Sequence, residues 1–198
     1  MPSFSHLYLI PNTQQKKHRS MAIHSLAQQL CARHQNTTFE NIALKKTHNG
    51  KPHFYNQDHP VDDFHCSISH NKDHSILATS SHPIAIDTEI CKPRPQLTKL
   101  HQKMSTVFQI PTQPDMFYPL WTLLEAWCKH HNLRLWSVLK TPIKIPPEII
   151  KTYLSQQPVQ YQNMAISQHK PTPESLLCLI QHPTCPKNLS IQPIKKPT

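Results

Sequence analysis

With 198 residues, the chain has room for one domain or two small fused lobes, and for a core that needs no disulfide staples. Its formal charge of +10, with histidine counted neutral, calls for an acidic partner: nucleic acid, a membrane surface, a phosphorylated cofactor or an acidic protein. Gly50 is the only glycine. That excludes a Walker A loop, a GxGxxG fingerprint and a GxSxG nucleophile elbow, so any phosphate must be held by side chains and ordinary backbone.

Residues 5–10 (SHLYLI) read as a strand ended by Pro11. Residues 17 to about 34 lack proline and glycine, and Met21, Ala22, Leu26, Leu30 and Cys31 fall close to helical spacing, which predicts an amphipathic helix. Asn49-Gly50-Lys51-Pro52 is a turn by chemistry, because glycine permits positive φ and the residue before proline avoids helix. It is predicted to close a hairpin between residues 42–46 and His53-Phe54. Residues 64–70 (FHCSISH) alternate Phe64, Cys66 and Ile68 against His65, Ser67 and Ser69, which is strand patterning with a polar face.

Residues 75–79 and 84–89 are further predicted strands, and 111–114 a proline-flanked loop. Asp115 is the predicted N-cap of a helix from residue 116 to about 131, with Pro119 tolerated in its first turn. Residues 133–139 and 175–180 read as late strands or short apolar elements, and the tail 183–198 as loose. Each half carries a long helix followed by strands. That order of elements is α/β (α+β) and leaves room for two lobes, at 1–83 and 84–182.

The six cysteines form no CxxC pair and mostly sit in apolar runs, so they read as reduced thiols. No charged start precedes a long apolar run, and no stretch is long enough to span a bilayer. The expected location is cytoplasmic, with no membrane contact.

Four short motifs carry the chemistry. In IDTEI, Asp87 and Glu89 are two apart on a predicted strand and share a face. Two carboxylates side by side repel, which invites a cation, and oxygen ligands suit Mg²⁺. Taken alone, a DxE is more often a solvated strand edge. In WTLLEAWCK, Glu125 and Lys129 are four apart on a helix and also share a face. By itself that pair is an ordinary surface ion pair. Ser69 and His70 end the SxSH strand, where they suit phosphate oxygens as donors. Lys51, after the sole glycine, suits phosphate as a point charge. Among sixteen histidines, none has HExxH or Cys/His zinc spacing.

In this order, GKP, FxxSxSH, IxIDxE and WTxxEAxxK resemble the 4′-phosphopantetheinyl transferases of the surfactin type, over residues 17–140 and more faintly to 183. The resemblance implies a pseudo-twofold fold of two similar lobes, each a small sheet packed with a long helix, and a monomer. It implies CoA as a substrate and Mg²⁺, with Mn²⁺ as the other option, held by Asp87, Glu89 and Glu125. Ser20, Lys51, Ser69 and His70 would contact the CoA phosphates or nucleotide. Lys129 would contact the diphosphate and help the leaving group depart, and Glu125, or a water on the metal, would take the serine proton. The second substrate would be an acidic acyl or peptidyl carrier protein.

Two departures stand out. Leu124 occupies the place of a usual lysine, and Ala85 that of a usual glycine. They motivate an alternative, a CoA- or carrier-binding protein of the same fold that has lost turnover. A nucleic-acid module rests on charge alone, without a zinc finger or RNP motif, and is not expected.

Overall fold

The computed structural model describes residues 3–12, 16–93, 97–186 and 191–193. In chain order the elements are β1 (Ser5–Pro11), α1 (Lys16–His34), β2 (Ile42–Lys46), β3 (Pro52–Asn56), β4 (His59–Pro60), β5 (His65–His70), β6 (His74–Ser80), β7 (Ala85–Ile90), α2 (Leu97–Phe108), α3 (Phe117–His130), α4 (Leu135–Val138), α5 (Pro147–Leu154), β8 (Val159–Tyr161), β9 (Met164–His169), β10 (Ser175–Gln181) and β11 (Ile191–Pro193). The mixture of helices and small sheets is α+β, as expected. The chain divides into two compact units, Met1–Ile84 with Thr184–Thr198, and Ala85–Pro183.

The first unit holds a sheet in the order β11-β1-β6-β5 and a smaller sheet β2-β3-β4. The predicted hairpin is β2–β3, with Lys46 opposite Pro52 and Ile42 opposite Asn56. Its loop spans five residues and is closed by Gly50 N–H donating to Thr47 O and Thr47 N–H donating to Lys51 O, both 2.9 Å. Gly50 has φ +85°, and a Cβ there would meet nothing within 4 Å. Glycine is therefore needed for the backbone angle and not for a close approach.

Helix α1 covers this unit through Ile23, Ala27 and Cys31, spaced i, i+4, i+8, while Gln28 Nε2 donates to Ile42 O at 2.8 Å. Of the predicted stripe, Cys31 is buried and Leu26 and Leu30 pack against the core, whereas Met21 and Ala22 are exposed. Ile23 and the small residues at 27 and 31 form its most deeply buried face.

Two more expectations change in this unit. Ser67 and Ser69, read as a polar strand face, are both buried. The tail is not loose throughout, since Ile191–Pro193 runs parallel to Leu7–Leu9, and Cys185 is buried. The outer edge of β1 offers a row of backbone donors and acceptors that this strand satisfies.

The second unit is the sheet β7-β10-β9-β8 with α3 packed on β7 and β10. Helix α2 contributes Met104, Val107 and Phe108 to its core, and α5 contributes Ile150 and Tyr153. Both helices lay unassigned in the sequence reading, although Leu100, Met104, Val107 and Phe108 follow the helical spacing. Residues 135–138, offered as a strand or short apolar element, form a single helical turn. Asp115 does not cap α3. It sits inside a 3₁₀ turn (Pro114–Met116), and α3 begins at Phe117.

With one glycine, the chain makes its other left-handed turns with Asn36, Gln57, Asp58, Gln109, Asn132, Gln156 and Gln162, all at positive φ. Asn36, Gln109, Asn132 and Gln156 each follow the end of a helix. A Cβ there carries a steric cost of about 1 kcal/mol. Gln156→Gly is accordingly expected to stabilise the fold by up to about 1 kcal/mol, read as a higher urea midpoint at unchanged slope.

Leu124 is fully buried within the core of the second unit. The lysine that the resemblance led one to expect there has no room for its charge in this packing. Leu124→Lys is expected to cost about 3–5 kcal/mol in urea unfolding, from lost apolar burial and a buried ammonium.

Histidines 24, 65, 74 and 169 all bind protons less readily than free imidazole, chiefly because burial disfavours the charged ring; Lys46 and His70 add to the effect at His24, and Lys51 at His65. The unfolded chain therefore takes up protons near pH 6.5 while the folded chain does not. Their contribution is intact above that pH and is lost as pH falls below it, toward the lower folded values. One carboxylate, Glu125, acts in the opposite sense. The melting temperature is expected to be lower at pH 5.5 than at pH 7.5, with thermal melts across that range as the check.

Candidate active site

Strand β7 is an edge strand whose partner is β10, with Asp87 opposite Cys178 and Glu89 opposite Leu176. Helix α3 lies on this pair. Its apolar residues Leu120, Leu123, Leu124 and Trp127 are buried, so its Glu125–Lys129 stripe is half-buried beside β7. Lys129 Nζ donates to Asp87 Oδ1 at 2.8 Å and to Ile86 O at 3.0 Å. Asp87 is only 3 % exposed. A carboxylate that deep needs a partner to stay charged, and the long lysine stem supplies one while keeping its head partly wet.

Glu125 belongs to the same group. Its carboxyl is pushed up to about 7, first by burial, then by the charge of Asp87 and, more weakly, of Glu89; Lys129 and a hydrogen bond with Trp121 pull the other way. The strand thus brings two carboxylates, and the helix a third with a lysine, into one electrostatic neighbourhood. Lys129 is the ammonium bonded to Asp87 in that group.

That surplus of negative oxygen has the chemistry of a site for a hard divalent cation. Among the described residues, however, no three histidine, cysteine, aspartate or glutamate side chains stand close enough together to hold one ion. The donor set fits Mg²⁺ in kind, with Lys129 bonded to Asp87 in the arrangement seen.

The other predicted residues lie in the first unit. His70 ends β5, exposed, opposite Ser75. The turn after it is closed by Asn71 Oδ1, which accepts from the N–H groups of Asp73 at 2.9 Å and His74 at 3.0 Å. Ser69 is buried on the same strand. Ser20 lies on the first turns of α1, its hydroxyl 3.5 Å from His24 Nδ1.

His24 feels the charge of both Lys46 and His70. Lys51 is half-buried, its ammonium disfavoured by burial, and it shares an electrostatic neighbourhood with His65 and Cys66, which Lys46 also reaches. Lys46 and His24 are the residues that the sequence reading missed. His24 was legible as the i+4 neighbour of Ser20 on one helix face. Lys46 was not, because only strand pairing sets it beside the turn that carries Lys51.

The thiols are reduced and mostly buried. All six are free, only Cys91 is exposed, and burial pushes Cys31, Cys66 and Cys178 each up to about 12. Lys16 and Lys17, considered in the sequence as further basic contacts, have side chains outside the described residues. Among the described residues no helix is long and apolar enough to cross a membrane.

A comparison with curated proteins returns no match. Residues 12–82 match the family model described as 4′-phosphopantetheinyl transferase, N-terminal. The matched segment runs through α1, the β2–β3 hairpin, β5 and β6, and so includes Ser20, Lys51, Ser69 and His70. Over that segment the chain is similar to the N-terminal part of the 4′-phosphopantetheinyl transferases.

Proposed function

We propose that this protein transfers 4′-phosphopantetheine from CoA to a serine of an acyl or peptidyl carrier protein, and that the transfer depends on Mg²⁺. The observation that carries the reading is Lys129 within 2.8 Å of the buried Asp87, with Glu89 and Glu125 in the same neighbourhood, on a chain with the family's N-terminal segment.

Asp87, Glu89 and Glu125 are the residues that would hold Mg²⁺, and the ion, when bound, neutralises charge on the CoA diphosphate. The serine Oγ–P bond forms as the bond from that phosphorus to the oxygen of 3′,5′-ADP breaks. Glu125 takes the serine proton, and Lys129 donates to the phosphate oxygens of the leaving group. Positioning and charge neutralisation do most of what such a displacement needs, without a covalent enzyme intermediate. Ser20, Lys51, Ser69 and His70 are assigned to the phosphates and nucleotide of CoA, and Lys46 and His24 add positive charge beside them. The reading has a cytoplasmic, monomeric enzyme, with an acidic carrier as the partner that a +10 chain attracts.

The test is incubation with CoA, Mg²⁺ and several apo-carriers, followed by mass measurement. A gain of one phosphopantetheine group per carrier is expected, and no gain on any carrier overturns the reading. The buried Leu124 and the Lys129–Asp87 bond favour a second reading, CoA or carrier binding without turnover. Calorimetric CoA binding with no product would decide for it.

A further inference from the structure

In the first unit, residues of the β1 segment and of α1 line a pocket of about 260 Å³. Phe4, His6 and Tyr8 alternate along the chain, and period two puts their side chains on one face. Thr79 stands opposite His6 in the β1–β6 pair and opposite Cys66 in the β5–β6 pair, so it shares that face. Phe64, two residues ahead of Cys66, continues it. Leu30 and His34, four apart on α1, supply the helix side of the lining.

The chemistry of the lining selects its guest. Five of the seven lining side chains are rings, and none is a lysine, arginine, aspartate or glutamate. Phe4 stacks on His6 with centroids 5.7 Å apart, and meets His34 at 5.2 Å and Phe64 at 6.2 Å. A flat ring extends such contacts, whereas an ion finds no counter-charge among these residues. Asp63 is engaged beyond the lining, with Oδ2 3.1 Å from His34 Nε2 and Oδ1 accepting from Gln35 Nε2 at 2.9 Å. The charge that Tyr8 feels is that of Arg33, which disfavours a cation. Two hydroxyls give the pocket a polar point: Thr79, only 1 % exposed, and Tyr8, hydrogen-bonded to it. An apolar cavity of about 150 Å³ holds one benzene, so this volume has room for two fused rings.

We propose that this pocket binds an uncharged, planar two-ring aromatic molecule of the indole class, its rings against Phe4, His34 and Phe64 and its N–H toward the hydroxyls of Tyr8 and Thr79. Phe4, Tyr8, Leu30 and His34 are only half-buried, so the guest removes apolar surface from water on both sides of the pocket. The site stands apart from the transferase reading, because none of its lining residues is assigned to CoA or Mg²⁺.

The experiment titrates the full chain with indole by calorimetry and follows the histidine ring protons by NMR. A Kd of about 0.1–1 mM is expected for a probe of this size. The ring-proton signal that disappears in His6→Ala is expected to shift when indole is added to the wild type. His6→Ala removes an exposed wall ring and is expected to raise Kd about 3–10-fold. Leu30→Trp fills the pocket from the helix and is expected to abolish binding; if it does not fold, His6→Ala and the shifted signal decide. No binding up to about 5 mM indole, or an affinity that the folded variants leave unchanged, overturns the proposal. Binding of tetramethylammonium in place of indole also overturns it, since the rings would then form a cage for a cation. A wild type that transfers no phosphopantetheine but binds indole removes the transferase reading and leaves this site standing.

Discussion

Asp87→Asn is expected to reduce phosphopantetheine transfer by about 10³-fold while leaving the fold intact. The effect on rate follows from electrostatics. The variant keeps the shape of the side chain but removes the innermost negative charge of the group that faces Lys129 and Glu125. Groups preorganised around charge in a water-poor site are worth about 10²–10³ each when removed, and this one also orients the lysine. The effect on stability is small because Asp87 is buried and one of three like charges. Its desolvation and its repulsion of Glu125 offset much of what its bond to Lys129 contributes. Steady-state kinetics and a urea melt on the same preparation check both halves. A variant with wild-type turnover would remove Asp87 from the mechanism.

Lys129→Met is expected to lose activity to a similar degree and, unlike Asp87→Asn, to destabilise the protein. The asymmetry comes from what each change leaves behind. Without Lys129, the buried Asp87 loses the ammonium 2.8 Å from its Oδ1 while Glu125 stays in the same neighbourhood. Leaving a buried charge unpaired costs about 3–5 kcal/mol. Lys129 is one-third exposed, and solvent reaching its place reduces the expected loss to roughly 2–3 kcal/mol. Millimolar Mg²⁺ is expected to return part of that loss in Lys129→Met, seen as a rise in melting temperature that Mg²⁺-free, chelator-treated protein lacks. An equal melting temperature with and without Mg²⁺ would count against the carboxylates as its ligands.

Several features were legible in the sequence because their causes are local. The β2–β3 hairpin is written in Asn49-Gly50, since only glycine takes φ +85° without strain. Period-two alternation marks β5, and the Glu125–Lys129 spacing puts both residues on one face of α3. Met21 was misplaced on the core face of α1 because a long apolar side chain weighs heavily in a periodicity count. The sheet instead selects the face of Ile23, Ala27 and Cys31, whose two small residues let the helix approach closely.

The order and spacing of the four motifs sufficed, from the residues alone, to name the chemical groups and the family they resemble. It also followed from the single glycine that no glycine-rich loop holds phosphate. Tertiary structure decided the rest. It set Lys129 on Asp87, buried Leu124 where a charged side chain was anticipated, brought Lys46 and His24 to the basic residues of the first unit, and left Trp136 in solvent. The physical reason is that periodicity fixes which face of an element a side chain takes, whereas burial and charge depend on which other element comes to lie against that face, and no residue carries that information within its own neighbourhood.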